Sequence, residues 1–306
     1  MEATPKTTSN SIPLSGFAVL LLVCLLWGGS IPLIRLSEGG VPPLLMATAR
    51  VALATFLLWV YARFTGEPVL LPRAYFWHGV GLGILFGLTM VFLYLGLVFT
   101  NADRGTVFYS TKPFWVALGA HFLVSDRLTL RKLAGLIVAL GGVYLAFLGP
   151  SISAPAPDAG NLMEIVAALF FSATALYTKW LSSREHFNSY QTLFPMMLFS
   201  MPLLALSSLL FERGQPLELH LMDLLAFGYQ SLGAQFLAYV LWFWLIYRYP
   251  VSLLASFTFL NPLVGVILST YLLGEHPPET LWLGLILVSA GIIIVNWPQR
   301  AKKGGT

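Results

Sequence analysis

Charged side chains are scarce in this sequence: Asp, Glu, Lys and Arg make up 10% of its 306 residues, where a soluble domain carries roughly 25%. A chain so short of charge cannot face water on all sides, which excludes an ordinary soluble globule. Cysteine is scarcer still. The single Cys24 excludes an intramolecular disulfide and a thiolate metal cluster; inside an apolar run it reads as a small packing residue. The five histidines, His78, His121, His186, His220 and His276, stand apart from one another. No pair has metal-ligand spacing, and no Ser–His–Asp set or glycine-rich phosphate loop is present. These gaps speak against a metal, a cofactor and catalysis. No Ala-x-Ala-like site closes the first apolar run, so that run is expected to be retained and not cleaved as a signal peptide.

What the chain has is apolar length. Hydrophobic residues make up 57%, gathered into runs of about 20 residues, each enough to cross roughly 30 Å of hydrocarbon. The runs are continuous and not alternating, which selects helices over a barrel. The expected fold is all-α and integral to the membrane, with ten transmembrane helices near 15–35, 42–62, 76–99, 104–123, 130–148, 161–181, 189–210, 223–247, 251–273 and 280–297. Turn residues part them, among them Gly39-Gly40, Glu67-Pro68, Gly214-Gln215-Pro216 and Pro277-Pro278. The longest connection, Gly149 to Gly160, is rich in Pro, Ala and Ser and falls near mid-chain. It divides the protein into halves of five helices, 15–148 and 161–297, with short tails at 1–14 and 298–306.

The net charge of +4 does not point to nucleic acid, because the basic residues sit in the short connections. With the amino terminus inside, Lys6, Arg63, Arg73, Arg127, Arg131, Lys132, Lys179, Arg184, Arg248, Arg300, Lys302 and Lys303 fall on the cytoplasmic side. Only Arg35, Arg104 and Arg213 fall outside. That bias predicts an even number of spans and two cytoplasmic termini.

The halves repeat at a constant offset of 149 positions: Phe108 and Phe257, Pro113 and Pro262, Asp126 and Glu275, Gly135 and Gly284, Gly142 and Gly291. Five spans is an odd number, so the second copy enters from the opposite face. Inverted repeats let a transporter alternate access by exchanging the conformations of its halves. Pro113 and Pro262 are expected to kink their spans, as packing features or as parts of a gate. Asp126 and Glu275 are expected to accept backbone donors at the start of the following helix, a structural role preferred to proton transport. Gly135, Gly141, Gly142, Gly284, Gly291 and the ladder Gly79, Gly83, Gly87 are assigned to close helix packing.

These residues resemble the drug/metabolite transporter superfamily, and its EamA-type permeases most. Trp27-Gly28, Arg50, and in the second copy Asn261-Pro262, Leu273-Gly274-Glu275, Gly284 and Ala290-Gly291 carry the likeness. The first copy departs from it, with Ser125-Asp126 in place of Gly-Glu and Lys112 before Pro113. The resemblance implies a permease of the bacterial inner membrane with a central cavity, moving small metabolites, often outward. It does not fix the substrate.

Arg50 and Lys112 each lie about eight residues into a span, near 12 Å deep at 1.5 Å per residue, where a cation is costly. For Arg50 a structural lock on carbonyls or a carboxylate competes with ligand binding. For Lys112 the favoured role is attraction of a substrate carboxylate or phosphate. Glu164, a few residues into its span, is expected to reach the outer interface, which leaves two buried cations and favours a substrate with negative charge. Trp27, Ser30, Trp115, Gln230, Gln235 and Asn261 fall at similar depth as candidate lining groups. Proton coupling, exchange and facilitated diffusion all fit this pattern. A receptor or scaffold without transport, and less so a membrane enzyme, are the rival readings.

Overall fold

Continuous apolar runs bounded by Pro, Gly and polar turns fold as helix here. The structure, a computed structural model, describes residues 12–30, 33, 40–100, 102–124, 126–147, 158–274 and 279–297. Among these, regular structure is helical throughout: α1 (Leu14–Gly28), α2 (Pro43–Thr65), a 3-10 turn (Arg73–Tyr75), α3 (Phe76–Phe99), α4 (Ala102–Tyr109), α5 (Lys112–Leu123) and α6 (Leu130–Ala146). After the mid-chain connection come α7 (Asp158–Arg184), α8 (Ser189–Phe211), α9 (Leu221–Tyr229), a π-helical segment (Gln230–Leu237), α10 (Ala238–Arg248), α11 (Val251–Phe257), α12 (Leu260–Leu273) and α13 (Thr280–Asn296). Six segments are long and apolar enough to cross a bilayer: Pro43–Thr65, Arg73–Phe99, Ala159–Arg184, Ser189–Phe211, Leu221–Arg248 and Val251–Leu272. The chain is therefore an integral membrane protein. The tails, Arg35, Glu275 and most of the Gly149–Gly160 connection lie outside the described residues.

Local chemistry sets the helix ends. Pro43 opens α2, where its missing N–H is an orphan in any case, and Gly66 closes it at φ 73°. Asn188 opens α8 in a capping box, accepting from the N–H of Gln191 at 2.8 Å while the Gln191 side chain accepts from its own N–H.

Two expected spans are broken rather than bent. The run 104–123 divides into α4 and α5 at Ser110-Thr111, and the run 251–273 into α11 and α12 at Thr258-Phe259. Pro113 thus starts a second half-helix, where a helix tolerates proline best, instead of kinking a continuous one. Short i to i+3 bonds carry the chain across each break, from Thr111 N–H to Phe108 and from Thr258 N–H to Ala255.

The repeated glycines meet each other. A Cβ on Gly142 would lie 2.7 Å from the carbonyl oxygen of Gly284, and one on Gly135 would lie 2.8 Å from that of Gly291. Helices α6 and α13 therefore run antiparallel with backbones in contact. Exchanging the halves at the 149 offset carries one glycine pair onto the other. The ladder Gly79, Gly83, Gly87 packs against Pro195, Phe199 and Leu203 of α8. Gly141 does not pack: no atom lies within 4 Å of its would-be Cβ, because it faces away from the α13 seam.

Asp126 departs from its expected role in one respect. Its carboxylate accepts from the Ser252 N–H at 3.2 Å, from the Ser252 hydroxyl and from Lys132 Nζ at 2.6 Å. The helix start it caps is α11, in the other half of the chain, and not the α6 that follows it. The start of α6 is already served by Thr129, whose hydroxyl accepts from the Lys132 N–H.

Candidate functional site

The broken spans, α1–α3, α7 and the π-helical segment line a cavity of about 220 Å³. Lys112 lies at the head of α5, immediately after the break. Its side chain is 6% exposed, with Nζ 4.2 Å from the centroid of the Tyr109 ring and 5.0 Å from that of Phe171. The two faces hold the ammonium by cation–π attraction, and this leaves its N–H groups for the cavity.

Arg50 of α2 is 8% exposed. One terminal nitrogen donates to Gln230 Oε1 at 2.9 Å, the other approaches Met90 Sδ at 3.3 Å, and the guanidinium stands 5.3 Å from the Tyr94 ring centre. Its Nε has no protein partner. Arg50 thus both ties α2 to the π-helical segment and lines the cavity. Gln230 acts behind Arg50 and is not a wall residue.

Glu164 overturns an expectation. Its carboxylate does not reach the interface: the residue is 0% exposed and lines the same cavity as Lys112 and Arg50. Glycines explain its depth. Oε1 lies 2.7 Å from where a Cβ on Gly96 would stand and 3.2 Å from one on Gly105, so the acid fills a notch where α3 and α4 lack side chains. Neither carboxylate oxygen has a hydrogen-bond partner. The cavity therefore holds two cations and an acid.

Trp27, Ser30, Gln235, Asn261 and Pro262 complete much of the wall. Trp27 packs within 5.4 Å of Tyr239 and 5.2 Å of Trp242, ring centre to ring centre, and its N–H donates to the Ala234 carbonyl at 3.1 Å. That carbonyl belongs to the π-helical segment, a wide-turn irregularity of the kind that recurs at functional sites. Ser30 donates back to Leu26. Gln235 Nε2 and Asn261 Oδ1 are buried without partners. Trp115 is elsewhere. Its indole N–H donates to Thr111 at the helix break, 3.2 Å away, and the residue lines a separate apolar groove together with Leu136 and Leu140 of α6.

Sequence reasoning missed Glu164 as a wall residue and the aromatic supports Tyr94, Tyr109, Phe171 and Tyr239. One signal was available: Glu164 and Phe171 are seven residues apart, hence on one face of α7. As chemistry, the cavity can desolvate and orient a small polar solute. No group of three His, Cys, Asp or Glu among the described residues could hold a metal ion.

Known proteins resemble this chain along most of its length. Residues 14–148 and 158–297 each match the model of the EamA-like transporter family. A probable amino-acid metabolite efflux pump of Salmonella typhimurium is 28% identical, over 94% of this chain and 96% of its own. An uncharacterized transporter of Archaeoglobus fulgidus is 26% identical, over 92% and 97%. The Escherichia coli protein described as a probable amino-acid metabolite efflux pump is 24% identical, over 93% and 97%. A solved crystal structure shares the fold at TM-score 0.77, with 20% identity over 92% of this chain and 96% of that one.

Proposed function

Because the chain belongs to the EamA-like transporter family, we propose that it is a secondary transporter exporting a small metabolite with a carboxylate or other negative group, by alternating access. The observation that carries this reading is Lys112: a buried ammonium at a cavity wall, held by two ring faces, with donors left for a ligand. Arg50 lines the same cavity and adds positive potential. Two relatives named for amino-acid metabolite efflux fit a solute of this kind.

The reading includes an architecture of ten membrane helices in two inverted repeats, 15–148 and 161–297. Support comes from the 149 offset and from the crosswise glycine contacts between α6 and α13. The breaks before Lys112-Pro113 and Asn261-Pro262 place two half-helix starts beside the cavity, as in other transporter sites built from interrupted helices. The bias of Lys and Arg supports cytoplasmic termini, and bacterial relatives support a bacterial cytoplasmic membrane.

The test is counterflow of labelled carboxylate metabolites in liposomes holding the purified chain. A receptor or scaffold binds solute without moving it; a permease equilibrates label. A charge-assisted hydrogen bond contributes about 1.5–3 kcal/mol, so Lys112→Gln should lower transport by about 10–100-fold at unchanged protein level. Transport at the wild-type rate in that variant refutes the assignment.

A further inference from the structure

We infer that the transported solute is a zwitterion, with its cationic group seated at Glu164 and its anionic group directed to Lys112. This rests on the anion-directed reading of Lys112 and adds a second pole to it.

The argument begins with burial. An ionised carboxylate out of water needs a proton, a cation or several hydrogen bonds. Three other acids among the described residues have such partners. Glu212 accepts from the N–H groups of Leu44 and Leu45 at 2.6 and 2.9 Å. Asp223 accepts from the His220 N–H at 2.8 Å, and Asp126 accepts from Ser252 and Lys132. Glu164 is 0% exposed and accepts from nothing, although it shares a cavity with two cations. Its position is also made for it, since Gly96 and Gly105 vacate the space that its carboxylate fills. Either glycine replaced by a larger residue would push the acid out of the notch.

The cations are engaged otherwise. Arg50 donates to Gln230, and Lys112 is held against Tyr109 and Phe171. The cavity thus presents both signs of charge, and Gln235 Nε2 and Asn261 Oδ1 add an unpaired donor and an unpaired acceptor. A simple anion would answer Lys112 and leave Glu164 unanswered; a simple amine would do the reverse. A solute carrying both an ammonium and a carboxylate answers both.

Two matched probe sets test this on the full chain in detergent: leucine with isocaproate and isoamylamine, and phenylalanine with hydrocinnamate and phenethylamine. Binding is read as thermal stabilisation, then as counterflow in liposomes. The expected result is that at least one zwitterion binds about tenfold or more tightly than either single-charge analogue. Glu164→Gln should erase that advantage while leaving the carboxylates bound as well as before or better. Lys112→Gln should weaken zwitterion and carboxylate alike. Glu164→Asp, which keeps the charge but withdraws it by one methylene, should retain part of the advantage. If Glu164→Gln folds poorly, the wild-type ranking and the Asp variant decide.

Carboxylates bound through Lys112 as tightly as the zwitterions overturn this inference and leave the proposed function standing. Amines bound as tightly as the zwitterions, and indifferent to Lys112→Gln, overturn both. A Glu164→Gln protein that keeps the wild-type ranking but no longer responds to an imposed pH gradient assigns the acid to a proton and also overturns the inference. A panel in which no zwitterion binds does the same.

Discussion

Two carboxylates in this bundle are handled in opposite ways. Asp126, just past the end of α5, accepts from Lys132 Nζ, from a backbone N–H and from a hydroxyl, the last two belonging to Ser252 in the other half of the chain. Glu164 is buried more deeply and accepts from nothing. The cations follow the same division. Lys132 is paired at 2.6 Å, whereas Lys112, at the head of the 12-residue α5, meets only ring faces. Charges with complete partner sets hold the halves together. Charges without them line the cavity, and buried polar groups left unpaired in a native fold call for an explanation.

Deleting charge at each place should therefore have opposite consequences for stability. The largest effect is expected from Asp126→Ala, which strands Lys132 and the start of α11. With the pair 17% and 12% exposed, the loss should be about 2 kcal/mol, near the middle of the range for bonds to a charged group. A double-mutant cycle with Ser252→Ala should show coupling of at least about 0.5 kcal/mol. Thermal unfolding in detergent measures both, and additive losses would separate Asp126 from Ser252.

Lys112→Met should do the contrary. The substitution removes a buried charge that has no hydrogen-bonded partner side chain and keeps much of the volume between Tyr109 and Phe171. Exchanging buried ions for apolar residues is often neutral or stabilising. Stability is expected to stay within about 1 kcal/mol of wild type or to rise, while transport falls. A large drop in the unfolding temperature would show that Lys112 belongs with the structural charges.

The same contrast marks what the sequence could disclose. Lys112 was legible because it breaks a repeat: at the 149 offset Asn261 stands in its place, and a cation eight residues into an apolar run has few explanations. The paired glycines were legible for the same reason, and a Cβ on Gly142 or Gly135 would come within 2.7 or 2.8 Å of the facing backbone oxygen. Glu164 was legible only as a residue sharing a helix face with Phe171. Depth along a helix says how far a side chain is from the interface, but not whether its face looks outward or into a cavity. The notch at Gly96 and Gly105 comes from two other helices and has no local signature. The helix whose start Asp126 caps was hidden likewise, since α11 lies more than a hundred residues away. The π-helical turn at Gln230–Leu237 also has no residue pattern that distinguishes it from ordinary apolar helix.

Trp115 provides the smallest and sharpest check on this division. Depth alone grouped it with Trp27, yet the two indoles lie in different surroundings. Trp27 lines the cavity and donates to a carbonyl of the π-helical segment, while Trp115 donates within its own span to Thr111 and lines a groove shared with leucines of α6. Its ring is only partly buried, so Trp115→Leu gives up one hydrogen bond between neutral groups, about 1 kcal/mol, and keeps an apolar side chain at the groove. Transport is expected to remain within about twofold of wild type. Trp27→Leu, by contrast, removes a wall of the cavity and a tie to the π-helical segment, and should lower transport several-fold. Equal effects of the two substitutions in the counterflow assay would mean that the groove beside α6, and not the cavity around Lys112 and Glu164, lies on the transport path.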